Sequence, residues 1–206
     1  MIGYDFDKTI YKGDCSTNFF FYIVLKRPYL LLFTPYFLFV FLLYGIKLIG
    51  KKKFKELMYF FIPWHKDVDK IVLKFWEKNR YNFAKYYIDQ QKDNDIIISA
   101  GLRFIVEPAM DILKIRNYMA TEFDVKTGKI VGENCYGQEK VNRFKEVYGE
   151  EKLEAFYSDS MSDLPMMQIS NEAYLVNEEM VPSKINLDNI ESEKQKKNKN
   201  NKKEQI

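Results

Sequence analysis

The chain has 206 residues, enough for one ordinary domain or for a domain that carries an insert. It contains 32 Lys or Arg and 29 Asp or Glu, and the resulting net charge of +3 does not indicate binding to nucleic acid. Cys15 and Cys135 match no metal or redox spacing and no signal peptide precedes the first strand, so we expect a cytoplasmic protein with plain thiols.

Strand-like and helix-like segments alternate along most of the chain. A continuous isoleucine run after Asn94 suits a strand that is buried on both faces of a parallel sheet. Strands are expected at residues 2–6, 94–101, 118–132 (with a hairpin turned at Thr127 and Gly128), 154–157 and 173–177. Helices are expected at residues 104–115, from near Gln138, and in a short segment that ends at Gln168. This alternation predicts an α/β fold with a Rossmann-like, mostly parallel sheet.

A long interval separates the first two strands and carries helix-period and apolar stretches with few strand signals. We therefore predict an all-helical cap at residues 13–92, inserted after the first strand of a core that comprises residues 1–12 and 93–182. The last segment, residues 183–206, is rich in lysine and nearly free of apolar residues. Such a composition is typical of a disordered, basic tail.

Charged and polar residues follow several of the predicted strands. Asp5 and Asp7 come after the first strand, Ser99 after the second, and Asp159 and Asp163 after the fourth. In an open α/β sheet, ligands bind at the carboxyl ends of the strands, so we expect these side chains to converge on one crevice. Several carboxylates that lie close together favour a hard divalent cation such as Mg²⁺. A nearby hydroxyl and the ammonium of Lys140 would suit a phosphate group.

Four segments of the chain carry a resemblance to a known family. In order and spacing, "DFDKT", "IISAG", the lysine of "GQEKV" and "YSDSMSDLP" are similar to the four motifs of the haloacid dehalogenase superfamily of phosphatases. The phosphoserine-phosphatase-like branch of that family has its helical cap between the first and second motifs, where the insert falls here. The resemblance implies a phosphatase, and it extends from Met1 to about Asn177.

The resemblance also implies roles for individual residues. Asp5 would be the nucleophile that forms an aspartyl-phosphate, and Asp7 would act as acid and base. The side chains of Asp5 and Asp159, with the backbone carbonyl of Asp7, would bind Mg²⁺. Asp163 would orient the waters on the metal or Lys140. Thr9, Ser99 and Lys140 would hold the phosphoryl oxygens.

Two positions depart from the pattern of the family. Lys8 and Ser158 stand where glycine is common, the first after the second aspartate and the second before the aspartate of the fourth motif. Neither side chain is expected to take part in the chemistry. The departures therefore concern the shape of the loops, and we expect activity to survive them.

The cap contains an apolar stretch from Pro28 to Ile46, 19 residues without a charge, with basic residues on both sides. A single transmembrane span would divide Asp5 from Lys140, so we expect a helical hairpin at residues 17–50 that enters one leaflet. Residues 28–50 would contact the membrane, with bends at Pro28 and Pro35. The alternative is that the cap helices bury these side chains against one another.

An apolar cap favours a phosphate ester that is carried on a lipid. The residues of "GQEKV" and "YSDS" are similar to those of the phosphatidylglycerophosphatase C type. This resemblance implies a substrate such as phosphatidylglycerophosphate at the inner face of the cell membrane. A small soluble ester such as phosphoserine, or a catalytically silent membrane-bound scaffold, are the alternatives. Asp14 would either meet the leaving group of the substrate or cap the helix that follows it. The oligomeric state stays open.

Overall fold

The computed structural model of the chain describes residues 1–187. Its strands are β1 (Ile2–Tyr4), β2 (Ile96–Leu102), β3 (Asn117–Thr121), β4 (Phe123–Asp124), β5 (Lys129–Ile130), β6 (Leu153–Ser158), β7 (Ser170–Val176) and β8 (Pro182–Ile185). Its α-helices are α1 (Cys15–Lys26), α2 (Thr34–Gly45), α3 (Lys51–Met58), α4 (Val68–Asn79), α5 (Lys85–Gln90), α6 (Arg103–Leu113), α7 (Gln138–Tyr148) and α8 (Leu164–Gln168). Short 3-10 turns connect several of them.

A six-stranded sheet with the order β3-β2-β1-β6-β7-β8 forms the centre of the fold. All neighbouring pairs are parallel except β7 and β8, which are antiparallel. Gly3 leaves room for the side chains of the neighbouring strand β6, because a Cβ there would lie 2.6 Å from the side chain of Leu153. The predicted α/β fold with a mostly parallel sheet is confirmed.

The interval between β1 and β2 contains α1 to α5. Aromatic side chains hold these helices together: Phe19 of α1 packs edge to face against Phe75 of α4, and it stacks with Tyr59, which directly follows α3. Trp76 of α4 donates a buried 2.7 Å hydrogen bond to the carbonyl of Ile105 in α6. The division into a core and a cap stays a prediction, and α1 to α5 are called the cap helices below.

Several boundaries differ from those expected. β1 ends at Tyr4 rather than at residue 6, because the chain turns at Lys8, whose φ is +56°. The small hairpin forms as predicted, with Gly128 at φ +72° between β4 and β5.

The predicted start of the tail at residue 183 is wrong. Residues 183–185 belong to β8, which pairs with β7 at the edge of the sheet. A short edge strand that contains proline and lysine carries little sequence signal. The rest of the predicted tail, residues 188–206, lies outside the described residues.

The apolar stretch of the cap forms a 3-10 helix at Pro28–Phe33 followed directly by α2. Pro28 and Pro35 both lie in the first turn of their helical segments, where proline is tolerated. Within the described residues, Pro28–Gly45 is the segment that is long and apolar enough to cross a membrane, with a mean hydropathy of 1.7, and 17% of it is buried.

Candidate active site

The carboxyl ends of β1 and β6 meet the first turn of α7. Asp5 directly follows β1, and its amide donates a 2.8 Å hydrogen bond to the carbonyl of Tyr157 in β6. The ammonium of Lys140 lies 2.6 Å from Oδ1 of Asp5 and 2.7 Å from Oδ2 of Asp163. All three side chains are buried. The sheet order thus brings together residues that are 135 positions apart in the sequence.

The electrostatics of this buried triad depend on the lysine. Burial lowers the pKa of Lys140, but the carboxylates of Asp5 and Asp163 more than offset this, so its pKa lies above the ordinary value. Burial raises the pKa of Asp5, and the ammonium of Lys140 opposes that rise. The net effect raises the pKa of Asp5 to about 7, and the ammonium limits that rise.

Asp7 lies beside the start of α1. Its Oδ1 accepts a 2.7 Å hydrogen bond from the amide of Cys15, in the first turn of that helix. Burial raises the pKa of Asp7 to about 8, with a further contribution from the negative charge of Asp14, while the Cys15 amide opposes the rise. A carboxyl group with a raised pKa is suited to give and take a proton near neutral pH.

The role of Thr9 in holding a phosphoryl oxygen stays a prediction, and the structure gives its side chain another contact. Its side chain is fully buried, and Oγ1 accepts a 2.9 Å hydrogen bond from the amide of Asp159. It is absent from the lining of the cleft described below. Thr9 therefore positions the loop that carries Asp159. The position of Thr9 in the sequence did not reveal this contact.

Ser99 also lies behind the cleft rather than in its lining. The side chain is fully buried at the end of β2, and Oγ accepts a 2.9 Å hydrogen bond from the amide of Gly101. The predicted contact of Ser99 with phosphate stays a prediction. The hydrogen bond lies within β2, where the pairing with β3 shifts in register between Ile98 and Leu102. Ala100 and Gly101 in this part of the strand do line the cleft.

The two departures from the glycine pattern have different consequences. Lys8 adopts a left-handed backbone conformation, with φ +56°, which explains why glycine is favoured there. That Ser158 takes no part in the chemistry stays a prediction, but its side chain has a structural role. Its Oγ donates a 2.8 Å hydrogen bond to Oδ2 of Asp163 and so fixes the carboxylate that pairs with Lys140.

Sequence reasoning missed Lys55 of α3. Its ammonium donates hydrogen bonds to the carbonyl of Ala100 and, at 2.7 Å, to Oδ1 of Asn134. These bonds join a cap helix to β2 and to the segment that precedes α7. Burial lowers the pKa of Lys55, and the carboxylates of Asp7 and Asp14 oppose this. Lys51 and Lys55 are one helical turn apart in a basic segment, and this spacing indicates that both lie on the same face of a helix.

A cleft of about 430 Å³ lies between these core residues and the cap helices. Asp5, Asp7, Lys140, Asp159 and Asp163 all contribute to its lining. Its volume falls within the range of about 300–1,000 Å³ that is usual for small-molecule sites. Asp14 lies at the cleft too, and its Oδ1 caps α1 by accepting a 2.7 Å hydrogen bond from Thr17. The capping alternative for Asp14 is thus present, and a contact with the leaving group stays a prediction.

The acidic side chains fit a hard divalent cation. Within residues 1–187, no group of three or more His, Cys, Asp or Glu side chains is placed to hold a metal. The expected set needs only two carboxylates, those of Asp5 and Asp159, because Asp7 would act through its backbone carbonyl. Oδ1 of Asp163 is buried with no hydrogen-bond partner among the described residues, which suits a nearby water or cation. The carboxylates of Asp5 and Asp163 share the single ammonium of Lys140, which also leaves negative charge for a cation to offset.

The sheet and the acidic cleft define a Rossmann-like hydrolase with two carboxylates after its first strand. The chain belongs to the haloacid dehalogenase-like hydrolase family, because the sequence profile of that family matches residues 2–168. A protein of Mycobacterium tuberculosis named "Probable phosphatase" is 37% identical over 89 residues, which are 40% of this chain and 31% of that protein. The match therefore spans about a third of the length of this relative.

Two solved structures are similar in fold. A protein of unknown function from Bordetella pertussis Tohama I has a TM-score of 0.73 at 18% identity, over 86% of this chain and 89% of that chain. A phosphoserine phosphohydrolase-like protein from Francisella tularensis has a TM-score of 0.54 at 18% identity, over 87% and 88%. At this identity the likeness shows the fold alone.

Proposed function

We propose that the protein is a Mg²⁺-dependent phosphomonoester hydrolase that works through an aspartyl-phosphate on Asp5. The observation that carries this proposal is the buried ammonium of Lys140, held between the carboxylates of Asp5 and Asp163 at the cleft. A carboxylate that is fixed in position beside an ammonium group is a suitable nucleophile for phosphorus. The family assignment and the phosphatase name of one relative support the same chemistry.

The reaction has two steps. The oxygen of Asp5 that Lys140 does not bind attacks phosphorus, and the bond between phosphorus and the ester oxygen breaks. Asp7 gives its proton to the departing alcohol. A water molecule then attacks phosphorus and releases phosphate from Asp5, and Asp7 takes a proton from that water. Mg²⁺, held by Asp5, Asp159 and the backbone carbonyl of Asp7, would offset the negative charge of the phosphoryl group.

We infer a lipid-borne substrate from the exposed side chains of the cap. Large apolar side chains on the 3-10 helix and α2 are in contact with solvent, and Leu32 is 81% exposed. We call this surface the apolar face; it comprises Leu31, Leu32, Leu38, Phe39, Leu42 and Ile46. Apolar surface of this kind marks interaction sites rather than ordinary exposed surface.

Basic residues flank the apolar face at both ends. Lys26 and Arg27 precede it, and Lys47 and residues 51–53 follow it. This arrangement suits the inner leaflet of a cell membrane, where the lysines would lie near anionic headgroups. Phosphatidylglycerophosphate is the type of lipid ester that the resemblance to phosphatidylglycerophosphatase C implies. A soluble ester such as phosphoserine is the second candidate, because a phosphoserine phosphohydrolase-like protein shares the fold.

Phosphate release by the purified full-length chain tests the chemistry. We expect turnover of an aryl phosphate with Mg²⁺, loss of turnover with EDTA, and loss of turnover in Asp5→Asn. The matched control is Asp111→Asn, an exposed aspartate on α6 outside the lining of the cleft. A silent scaffold would release no phosphate under any condition. Comparison of phosphatidylglycerophosphate with phosphoserine then decides between the two substrate classes.

Sedimentation with vesicles of phosphatidylcholine and phosphatidylglycerol tests the membrane contact. We expect the chain to bind these vesicles and the double variant Leu32→Asp/Leu38→Asp to bind them at least tenfold more weakly. Val147→Asp is the control, since Val147 is also exposed but lies on α7 of the core. Equal binding of the double variant and the wild type would contradict the membrane contact and leave the phosphatase chemistry intact.

A further inference from the structure

The lining of the cleft is supplied from two sides that differ in chemistry. The core supplies Lys140 and most of the carboxylates, and the cap side supplies mainly apolar side chains. The polar side chains on the cap side are Asp14, Ser16, Thr17, Lys51 and Lys55. Phe20 and Phe21 come from α1, Phe41 and Tyr44 from α2, and Phe54 and Met58 from α3. We call these six residues the cap wall. Phe21 and Phe41 are 57% and 48% exposed, so apolar surface of the cap wall remains open to the cleft and to solvent.

The charged groups on the cap side of the cleft already have partners within the protein. Lys51 lies over the ring of Tyr136, 3.3 Å from its centroid. Lys55 donates to a carbonyl and to an amide oxygen. Asp14 accepts from the backbone at the start of α1. What the cap offers to a ligand is therefore mainly apolar, and an apolar ligand would remove that surface from water.

We propose that the cap wall binds an apolar chain on the alcohol that leaves from phosphorus. This inference rests on the proposed function and makes it more specific, because it assigns the chain of the substrate to a site within the protein. A small polar alcohol such as serine would leave the rings of Phe21 and Phe41 uncovered. A chain that lies along these rings extends from the catalytic carboxylates toward the α2 side, where the apolar face lies.

The cap wall predicts a dependence of the rate on chain length that needs no membrane. The full-length chain with Mg²⁺ is assayed on ethyl, butyl and octyl phosphate, each below the concentration at which it aggregates. Each methylene that leaves water for the cap wall should raise kcat/KM by up to about fourfold. We expect kcat/KM for octyl phosphate to exceed that for butyl phosphate at least tenfold.

A pair of substitutions tests the location of the site. Phe21→Ser should lower the ratio of kcat/KM between octyl and butyl phosphate at least threefold. The control is Leu73→Ser on α4 of the cap, which is 53% exposed and lies outside both the cleft lining and the apolar face. Leu73→Ser should leave the ratio unchanged.

The outcomes separate this inference from the proposed function. Equal values of kcat/KM across the series, or an equal effect of the two substitutions, would overturn the cap wall as the chain site and leave the phosphatase standing. Failure to hydrolyse any of the three esters would overturn the proposed function, and the inference with it.

Discussion

Replacing Lys140 by methionine keeps a long side chain in place but removes the ammonium that lies between Asp5 and Asp163. In the native protein this ammonium is 2.6 Å and 2.7 Å from the two carboxylates, and the lysine side chain is 1% exposed. The variant leaves two carboxylates in the same buried space with no cation between them. Their negative charges would repel each other, and neither carboxylate could regain its hydration without opening the fold.

The expected loss of stability follows from the burial of the pair. Breaking a buried ion pair by removing one partner costs about 3–5 kcal/mol, because an uncompensated charge remains. The free energy of unfolding of a folded domain is about 5–15 kcal/mol, so the variant should still fold but with a low remaining stability. With a urea m-value of about 2 kcal/mol/M, the midpoint of unfolding should fall by roughly 2 M.

Urea unfolding followed by circular dichroism measures this loss, with EDTA present so that no cation replaces the lost charge. Lys145→Met on the same helix is the control: Lys145 pairs with Glu150, but its side chain is 41% exposed. Such a surface pair contributes about 1 kcal/mol or less. A Lys140→Met variant that loses no more stability than Lys145→Met would refute the role given to the buried ammonium.

Three further substitutions test contacts around the cleft. Lys8→Gly should raise the free energy of unfolding by up to about 1 kcal/mol, because glycine adopts the left-handed backbone conformation of this position without steric strain. An unchanged midpoint of thermal unfolding would contradict this prediction. Thr9→Val leaves the amide of Asp159 without its acceptor and should lower the free energy of unfolding by about 1–3 kcal/mol. Thermal unfolding measures this loss, and a loss near zero would contradict the contact. Lys55→Met removes the hydrogen bonds from α3 to Ala100 and Asn134. Amide hydrogen exchange in α3 should therefore be faster in the variant, while exchange in β7 should not change. Equal protection of α3 in the variant and the wild type would contradict the link.

The main features of the fold could be predicted because they depend on local patterns and on general rules of topology. The isoleucine run of β2 indicated a strand buried on both faces, and the parallel sheet follows from the alternation with helices. Once β1 and β6 are neighbours, residues just after them must meet at one edge of the sheet. That rule alone places Asp5 near Asp159 and Asp163.

The hydrogen bonds of the site could not be predicted, because they depend on side-chain conformations and on distant segments. Thr9 and Ser99 are polar residues of the expected types, yet their oxygens accept from backbone amides behind the cleft. Lys55 contacts Ala100 across 45 positions, a pairing fixed only when the cap helices pack on the core. Ser158 bonds to Asp163 through a loop whose shape depends on the short 3-10 turn between them.

The central claim is that Asp5 carries the phosphoryl group during hydrolysis. The most direct test is to quench the full-length chain with acid during turnover of a radiolabelled phosphomonoester in the presence of Mg²⁺, and to locate the label by peptide analysis. We predict label on the peptide that contains Asp5 in the wild type and none in Asp5→Asn. Phosphate release with no label on that peptide, or turnover retained by Asp5→Asn, would contradict the account.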